Sequence, residues 1–129
     1  MPLLSPESSV KIFCDIRGDV TDRTGYIKSA GYPAGYQPNS DCTVSFYLNR
    51  GETLQIIFHR FNLEARGENL DICVNYMYIS DGGTLIEPMC KLPFGTVFNS
   101  TTSQVILNLR SDNSVEATGF LFEYRGNFL

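Results

Sequence analysis

The sequence predicts an all-β antiparallel sandwich closed by two disulfides. Two features point there: a hydropathy period of two with no amphipathic helix between the alternating runs, and four cysteines at spacings that suit disulfides. In TVSFYL, Val44, Phe46 and Leu48 share a face, and in LQIIF, Leu54, Ile56 and Phe58 do the same. SQVILNLR turns Val105, Leu107 and Leu109 inward, with Ile106 on the other side beside Asn108 and Arg110. GFLFEY adds Phe120, Phe122 and Tyr124, and NYMYIS sets Met77 and Ile79 opposite Tyr76 and Tyr78. Each run is bounded by Gly, Pro, Asn, Asp or Ser, and five short strands at this spacing suit a sandwich.

A chain of 129 residues with 43% apolar and 19% charged residues has material for one domain and one core. The net charge of -4 is scattered. Without a basic stripe to neutralise phosphates or dock on anionic lipid, nucleic acid is excluded as a partner. No apolar run approaches the roughly 20 residues that cross a bilayer, so no membrane insertion is expected. The opening MPLLSPESSVKIF has only Leu3 and Leu4 where a signal peptide needs a longer apolar stretch. Residues 1–12 are therefore read as a flexible flank and 13–129 as the domain.

Cys14, Cys42, Cys73 and Cys90 are separated by 27, 30 and 16 residues, and none forms a CxxC pair for zinc or redox chemistry. Two disulfides and an extracellular or secreted location follow, with three connectivities open. Asn99-Ser100-Thr101 is an N-glycosylation acceptor in a polar stretch between two apolar segments, which agrees with a secreted glycoprotein. GYIKSAGYPAGYQPNSDC, ending on Cys42, mixes turn formers with aromatics. Tyr26 and Ile27 can start a strand. Beyond them, Gly31, Pro33, Gly35 and Pro38 favour turns that fold Tyr32 and Tyr36 back on the sheet edge, hydroxyls within reach of solvent or a partner. Those two tyrosines are the expected partner-binding residues, in a loop held by its own aromatic packing.

The order Cys14, GYIKSAGYP, Tyr36, Asn39, Cys42, FHRFNLE, Cys73, NYMYISDG, Cys90, SDNS and GF resembles a CUB domain across residues 14 to about 125. The resemblance implies a jelly-roll-like two-sheet sandwich with Cys14–Cys42 and Cys73–Cys90 disulfides, serving as an extracellular binding module. Val44 stands where the family usually has Trp, Ala30 where Pro follows Ser29, and Lys91 where Gly follows Cys90; the last could alter the turn beyond the second disulfide. Many members hold calcium with a Glu after the F-x-x-F run, an Asp at the start of the next strand and an Asp in the loop before the final strand. Glu64 and Asp112 match, whereas the middle position is Asn75, a neutral oxygen donor. Calcium tolerates Asn, so Glu64, Asn75, Asp112 and the Ser114 carbonyl form the implied weak site, with Asp71 able to help. In calcium-binding members the ion orders loops that receive a Lys or Arg of an extracellular protein partner.

An enzyme is not expected. The single histidine, His59, ends an alternating strand with no Ser or Cys in a suggestive position, and nothing sets two of Glu52, Glu64, Glu68, Asp71 and Glu116 at a working separation. Arg17-Gly18-Asp19 could be read by integrins, but a plain turn accounts for it. The expected function is a non-catalytic protein-interaction module, calcium-dependent and part of a larger secreted or membrane-anchored protein. The alternative is a spermadhesin-like small secreted protein that binds carbohydrate or self-associates as a homodimer.

Overall fold

In the computed structural model, which describes residues 10–66, 72–114 and 117–127, the alternating runs become strands with facing apolar rows. They are β1 (Val10–Ile12), β2 (Thr24–Lys28), β3 (Asp41–Tyr47), β4 (Thr53–Asn62), β5 (Ala65–Arg66), β6 (Ile72–Cys73), β7 (Tyr76–Asp81), β8 (Thr84–Met89), β9 (Lys91–Leu92), β10 (Thr96–Asn99), β11 (Gln104–Arg110) and β12 (Gly119–Asn127). One sheet runs β1-β2-β12-β4-β10, with β9 also on β4; the other runs β3-β11-β7-β8, and β5 pairs β6 in a small ribbon. All these pairs are antiparallel except β1 with β2.

The inward row of the first sheet is Leu54, Ile56, Phe58, Phe120, Phe122 and Tyr124, and that of the second is Val44, Phe46, Met77, Ile79, Val105, Leu107 and Leu109; none is more than 1% exposed. Phe46 meets Tyr124 across the sheets at 5.1 Å between ring centroids. Each such side chain stabilises the fold by roughly 1.5–3 kcal/mol through burial, so the facing rows hold the sandwich together. The disulfides pair as the resemblance implies. Cys14–Cys42 and Cys73–Cys90 have Cα separations of 5.3 and 5.5 Å, within the range a disulfide spans.

Two expectations change. Val10–Ile12, read from sequence as part of a flexible flank, lie in register with Tyr26–Lys28 as a parallel edge strand. Lys11 fastens that edge, its ammonium donating to Asp22 and, at 3.1 Å, to the Tyr124 hydroxyl. Lys91 makes no turn of its own; it opens β9, opposite Asn62 of β4.

Asp81, at the end of β7, is 8% exposed. Its two oxygens accept from the N–H and hydroxyl of both Thr101 and Thr102, which fixes the β10–β11 connection. Burial opposes its charge, but these hydrogen bonds outweigh burial and hold the carboxyl below the usual aspartate value of 3.8. The hydrogen bond from Arg23 likewise lowers Glu52. A carboxyl depressed in the folded state contributes stability that is fully present above its unfolded pKa and is lost as pH falls through the folded value. Thermal melts should therefore hold a steady midpoint down to about pH 5 and drop below about pH 4. Asp81→Asn should melt lower at neutral pH and show a flatter acid limb; an unchanged acid limb in that variant would contradict the assignment.

Candidate functional site

Residues 30–40 hold too many turn formers for ladder pairing, and hydrogen bonds to neighbouring segments fix them instead. Ser29 Oγ donates to the Gly35 carbonyl and accepts from the Phe120 N–H, both at 3.1 Å. This pinch requires Gly119, whose φ is +96° and where a Cβ would stand 2.6 Å from the Gly35 oxygen. Ser111 Oγ donates to the Gln37 carbonyl at 2.7 Å and accepts from the Ser40 N–H at 2.9 Å. The Asn39 N–H reaches the Asp112 carbonyl at 2.7 Å, which brings the 111–114 loop alongside.

Tyr36 is thereby drawn inward. It is 6% exposed, so the expected role of its ring and hydroxyl as a partner-binding surface does not match the structure. A buried phenol needs polar partners, and Tyr36 Oη accepts from the Glu64 N–H at 3.0 Å and from Asn75 Nδ2 at 2.5 Å. Burial first, then the nearby Glu64 and Asp112 charges, push the phenol above its ordinary value of 10.0 against the pull of these two donors. Tyr32, in the same loop, is half-buried and keeps part of its surface open.

Glu64 follows β4, and the chain returns to it through the β5–β6 ribbon and the Cys73–Cys90 disulfide. The Val74 and Asn75 N–H groups donate to the Glu64 carbonyl at 2.9 and 3.1 Å. Asn75, fully buried, connects the remaining pieces. Its Oδ1 accepts from the Asp112 N–H at 2.8 Å, and its Nδ2 also donates to the Ser114 carbonyl at 3.2 Å. An N–H on one side and a carbonyl on the other dictate the orientation of the amide. Asp112 Oδ1 accepts from the Ser114 N–H at 3.0 Å, completing a four-segment cluster.

Glu64, Asn75, Asp112 and Ser114 are thus brought together, and Tyr36 joins them from below. Asp71, Glu68 and Glu116 lie outside the described residues. Three carboxylates are buried among the described residues: Glu52, Glu64 and Asp81. Glu52 is bonded by Arg23 and the Asn49 N–H, and Asp81 is saturated by two threonines. Glu64 differs, because its Oε1 is buried with no hydrogen-bond partner among the described residues. Such an atom costs about 1–3 kcal/mol or more for a charged group, and marks a place where a cation or donor fits.

The donors available to a cation are carboxylate and carbonyl oxygens only, a set that suits a hard ion such as calcium. Asn75 Oδ1 and the Ser114 carbonyl each spend one lone pair inside the cluster and keep one. Four protein residues fall short of the six to eight oxygens calcium takes, so water would complete the shell. Among the described residues no three His, Cys, Asp or Glu side chains form a metal cluster. Beside Asp112 an open depression of about 200 Å³ is lined by Ser40, Val74, Tyr76, Arg110 and Ser111.

His59 meets Glu123, Nε2 to Oε1 at 3.2 Å, and the rings of Tyr26 and Phe94, with no Ser or Cys among these contacts. Arg17-Gly18-Asp19 forms an exposed turn, Gly18 at φ +72°, leading into buried Val20. Sequence reasoning missed Tyr36 as the hub of the cluster and Asp81 as a loop anchor. For Asp81 the available signal was an acid at the end of a strand with no basic partner in sequence.

Comparison with known proteins places these features in a family. A CUB domain profile matches residues 14–124. The zinc metalloproteinase nas-39 of Caenorhabditis elegans is 35% identical over 109 residues, which is 80% of this chain and 12% of that protein. Human cubilin is 32% identical over 114 residues, 81% of this chain and 3% of cubilin. The chain therefore spans a small fraction of the curated relatives it matches. Among solved structures, the MASP-1 CUB2 domain bound to Ca2+ superposes with a TM-score of 0.74 at 29% identity, covering 85% of this chain and 99% of that one. The extracellular region of zebrafish Gpr126/Adgrg6 gives 0.76 at 27% identity, covering 90% of this chain and 15% of that one.

Because Tyr36 Oη is the acceptor for two buried donors, Tyr36→Phe should destabilise the domain by about 1–3 kcal/mol in denaturant unfolding with little change in slope. A loss within a few tenths of wild type would mean that both donors find other partners.

Proposed function

This chain belongs to the CUB domain family, and from that premise we propose that it is a non-catalytic extracellular interaction module of a larger secreted or membrane-anchored protein, receiving a partner's Lys or Arg at the Glu64–Asp112 cluster. CUB domains are generally extracellular protein-interaction modules within larger proteins, and the enzyme name among the relatives belongs to a protein of which the match is 12%. No helix among the described residues is long and apolar enough to cross a membrane. The observation that carries the reading is the buried, unpartnered Glu64 Oε1. A small ion fits against this enclosed oxygen, while the half-buried Asp112 carboxylate beside it can meet a partner's ammonium or guanidinium and Tyr32 of the adjacent loop offers an aromatic contact.

Calcium belongs to the same reading as a weakly held ion. Glu64 and Asp112 would supply charge, and the Asn75 and Ser114 carbonyl oxygens would complete the protein's share. When bound, the ion offsets the repulsion between the two carboxylates and holds their free oxygens toward the partner. A solved structure at 29% identity, the MASP-1 CUB2 domain bound to Ca2+, supports a role for calcium. Asn75 lowers the negative charge of the ligand set by one compared with an Asp, and charge count is one of the two quantities that tune calcium affinity.

Calorimetric titration of the oxidised chain should give saturable calcium binding with Kd of about 10⁻⁴–10⁻³ M, lost in Glu64→Ala and in Asp112→Ala. Asn75→Asp should tighten it by about tenfold or more through its added charge. No binding at millimolar calcium overturns the calcium part. The partner part is read separately with Nα-acetyl-lysine methylamide as probe. It should shift the amide resonances of residues 64, 75 and 112 in wild type and not in Glu64→Ala; shifts scattered over the surface would overturn it.

A further inference from the structure

β10 is an edge of the larger sheet, and its outward side chains are Val97 and Asn99, two residues apart on one face. Phe98 between them packs against the core. Same-face neighbours on a strand stand about 6.6 Å apart, close enough for one sugar ring on Asn99 to lie over Val97. Val97 is 47% exposed, and Ile57 lies directly across from it on β4. Phe94 nearby is more exposed, at 70%, with the Arg60 guanidinium 4.4 Å from its ring centroid. Asn99 is exposed, and its Oδ1 accepts from Gln55 Nε2 at 3.3 Å. Its Nδ2, the atom that a glycan takes, has no hydrogen bond among the described residues.

We propose that Asn99 carries an N-linked glycan whose first N-acetylglucosamine covers Val97 and shields the free edge of β10. Three features support this: the Asn99-Ser100-Thr101 acceptor, the outward amide, and the apolar side chain two residues before it on the same face. In the transfer, Nδ2 attacks the anomeric carbon of a lipid-pyrophosphate-linked oligosaccharide. The Nδ2–C1 bond forms, the C1–O bond to pyrophosphate breaks, the amide gives up one proton, and the lipid pyrophosphate leaves. In the folded domain the Thr101 hydroxyl donates to Asp81 at 3.0 Å, which assigns the transfer to the nascent chain, before that bond exists. The consequence is physical. Among the described residues β10 pairs with β4 alone, and a strand edge of this kind with an exposed Val is a template for pairing with other chains, whose approach a bulky hydrated group at its end blocks.

The chain secreted from a eukaryotic host should carry a glycan that peptide-N-glycosidase removes, leaving Asp at position 99. Secretion of a folded chain with Asn99 bare overturns the proposal. The covering contact is tested by trimming the glycan to a single N-acetylglucosamine and comparing its melt with that of bare protein refolded from bacteria, which avoids relying on secretion of Asn99→Gln. The single sugar should raise the thermal midpoint by about 2–5 °C, and that gain should vanish in Val97→Ser. An equal gain in Val97→Ser, or none in wild type, overturns the contact. Calcium and lysine binding at Glu64 do not enter either measurement, so failure here is distinct from failure there.

Discussion

The Tyr36 phenol is the constraint on which the loop end of this sandwich depends. The two inward rows close on each other only if the long connection between β2 and β3 is tied down, since it has no ladder bonds of its own. A phenol can enter the apolar interior if its oxygen finds donors, and two arrive from distant parts of the chain: the Glu64 backbone after β4 and the Asn75 amide before β7. Asn75 then reaches the 112–114 loop in turn. One buried oxygen thus organises four segments that sequence separates by up to 78 positions, from Tyr36 to Ser114 (114 − 36).

That organisation separates buried carboxylates that the fold satisfies from one that it does not. Asp81 and Glu52 are as buried as Glu64, and both are fully occupied, by threonines in one case and by Arg23 with a backbone N–H in the other. Their charges are stabilised by the fold. Glu64 is held rigid by its own backbone, yet one carboxylate oxygen has no hydrogen-bond partner among the described residues. A fold that satisfies two buried carboxylates and leaves a third open has put up with a cost at the third, and such costs concentrate where an external group completes the site.

The long strands were legible because alternation over five or more residues leaves little choice of face; all five expected runs are strands with the predicted inward rows, except that Leu48 falls just past β3 and is only partly buried. The short ones were not. β10 has four residues, β8 contains Pro88, a residue that weakens a strand reading, and β1 has three residues whose partner is decided by the sheet and not by local pattern. The cluster was legible only through family resemblance, since Glu64, Asn75, Asp112 and Ser114 share no local period and meet by topology. The inward turn of Tyr36 was hidden for a related reason. Gly and Pro around a Tyr announce a turn, but which way the ring points depends on donors 28 and 39 residues away.

Asn75 brings these strands of argument together. An Asp at this position would accept but not donate, and the three acidic side chains would repel one another until an ion arrived between them. The amide removes one of those charges and adds donors. With its NH2 group it holds the Tyr36 hydroxyl and the Ser114 carbonyl, so hydrogen bonds within the chain supply part of the ordering that the proposed ion would supply at an Asp. The loops therefore keep their arrangement with a lower demand for the ion, at the expense of a weaker field at Glu64 and Asp112. On the proposed reading, a partner's cation would meet a site ordered in advance but carrying two charges instead of three, a balance that favours geometric fit over electrostatic pull.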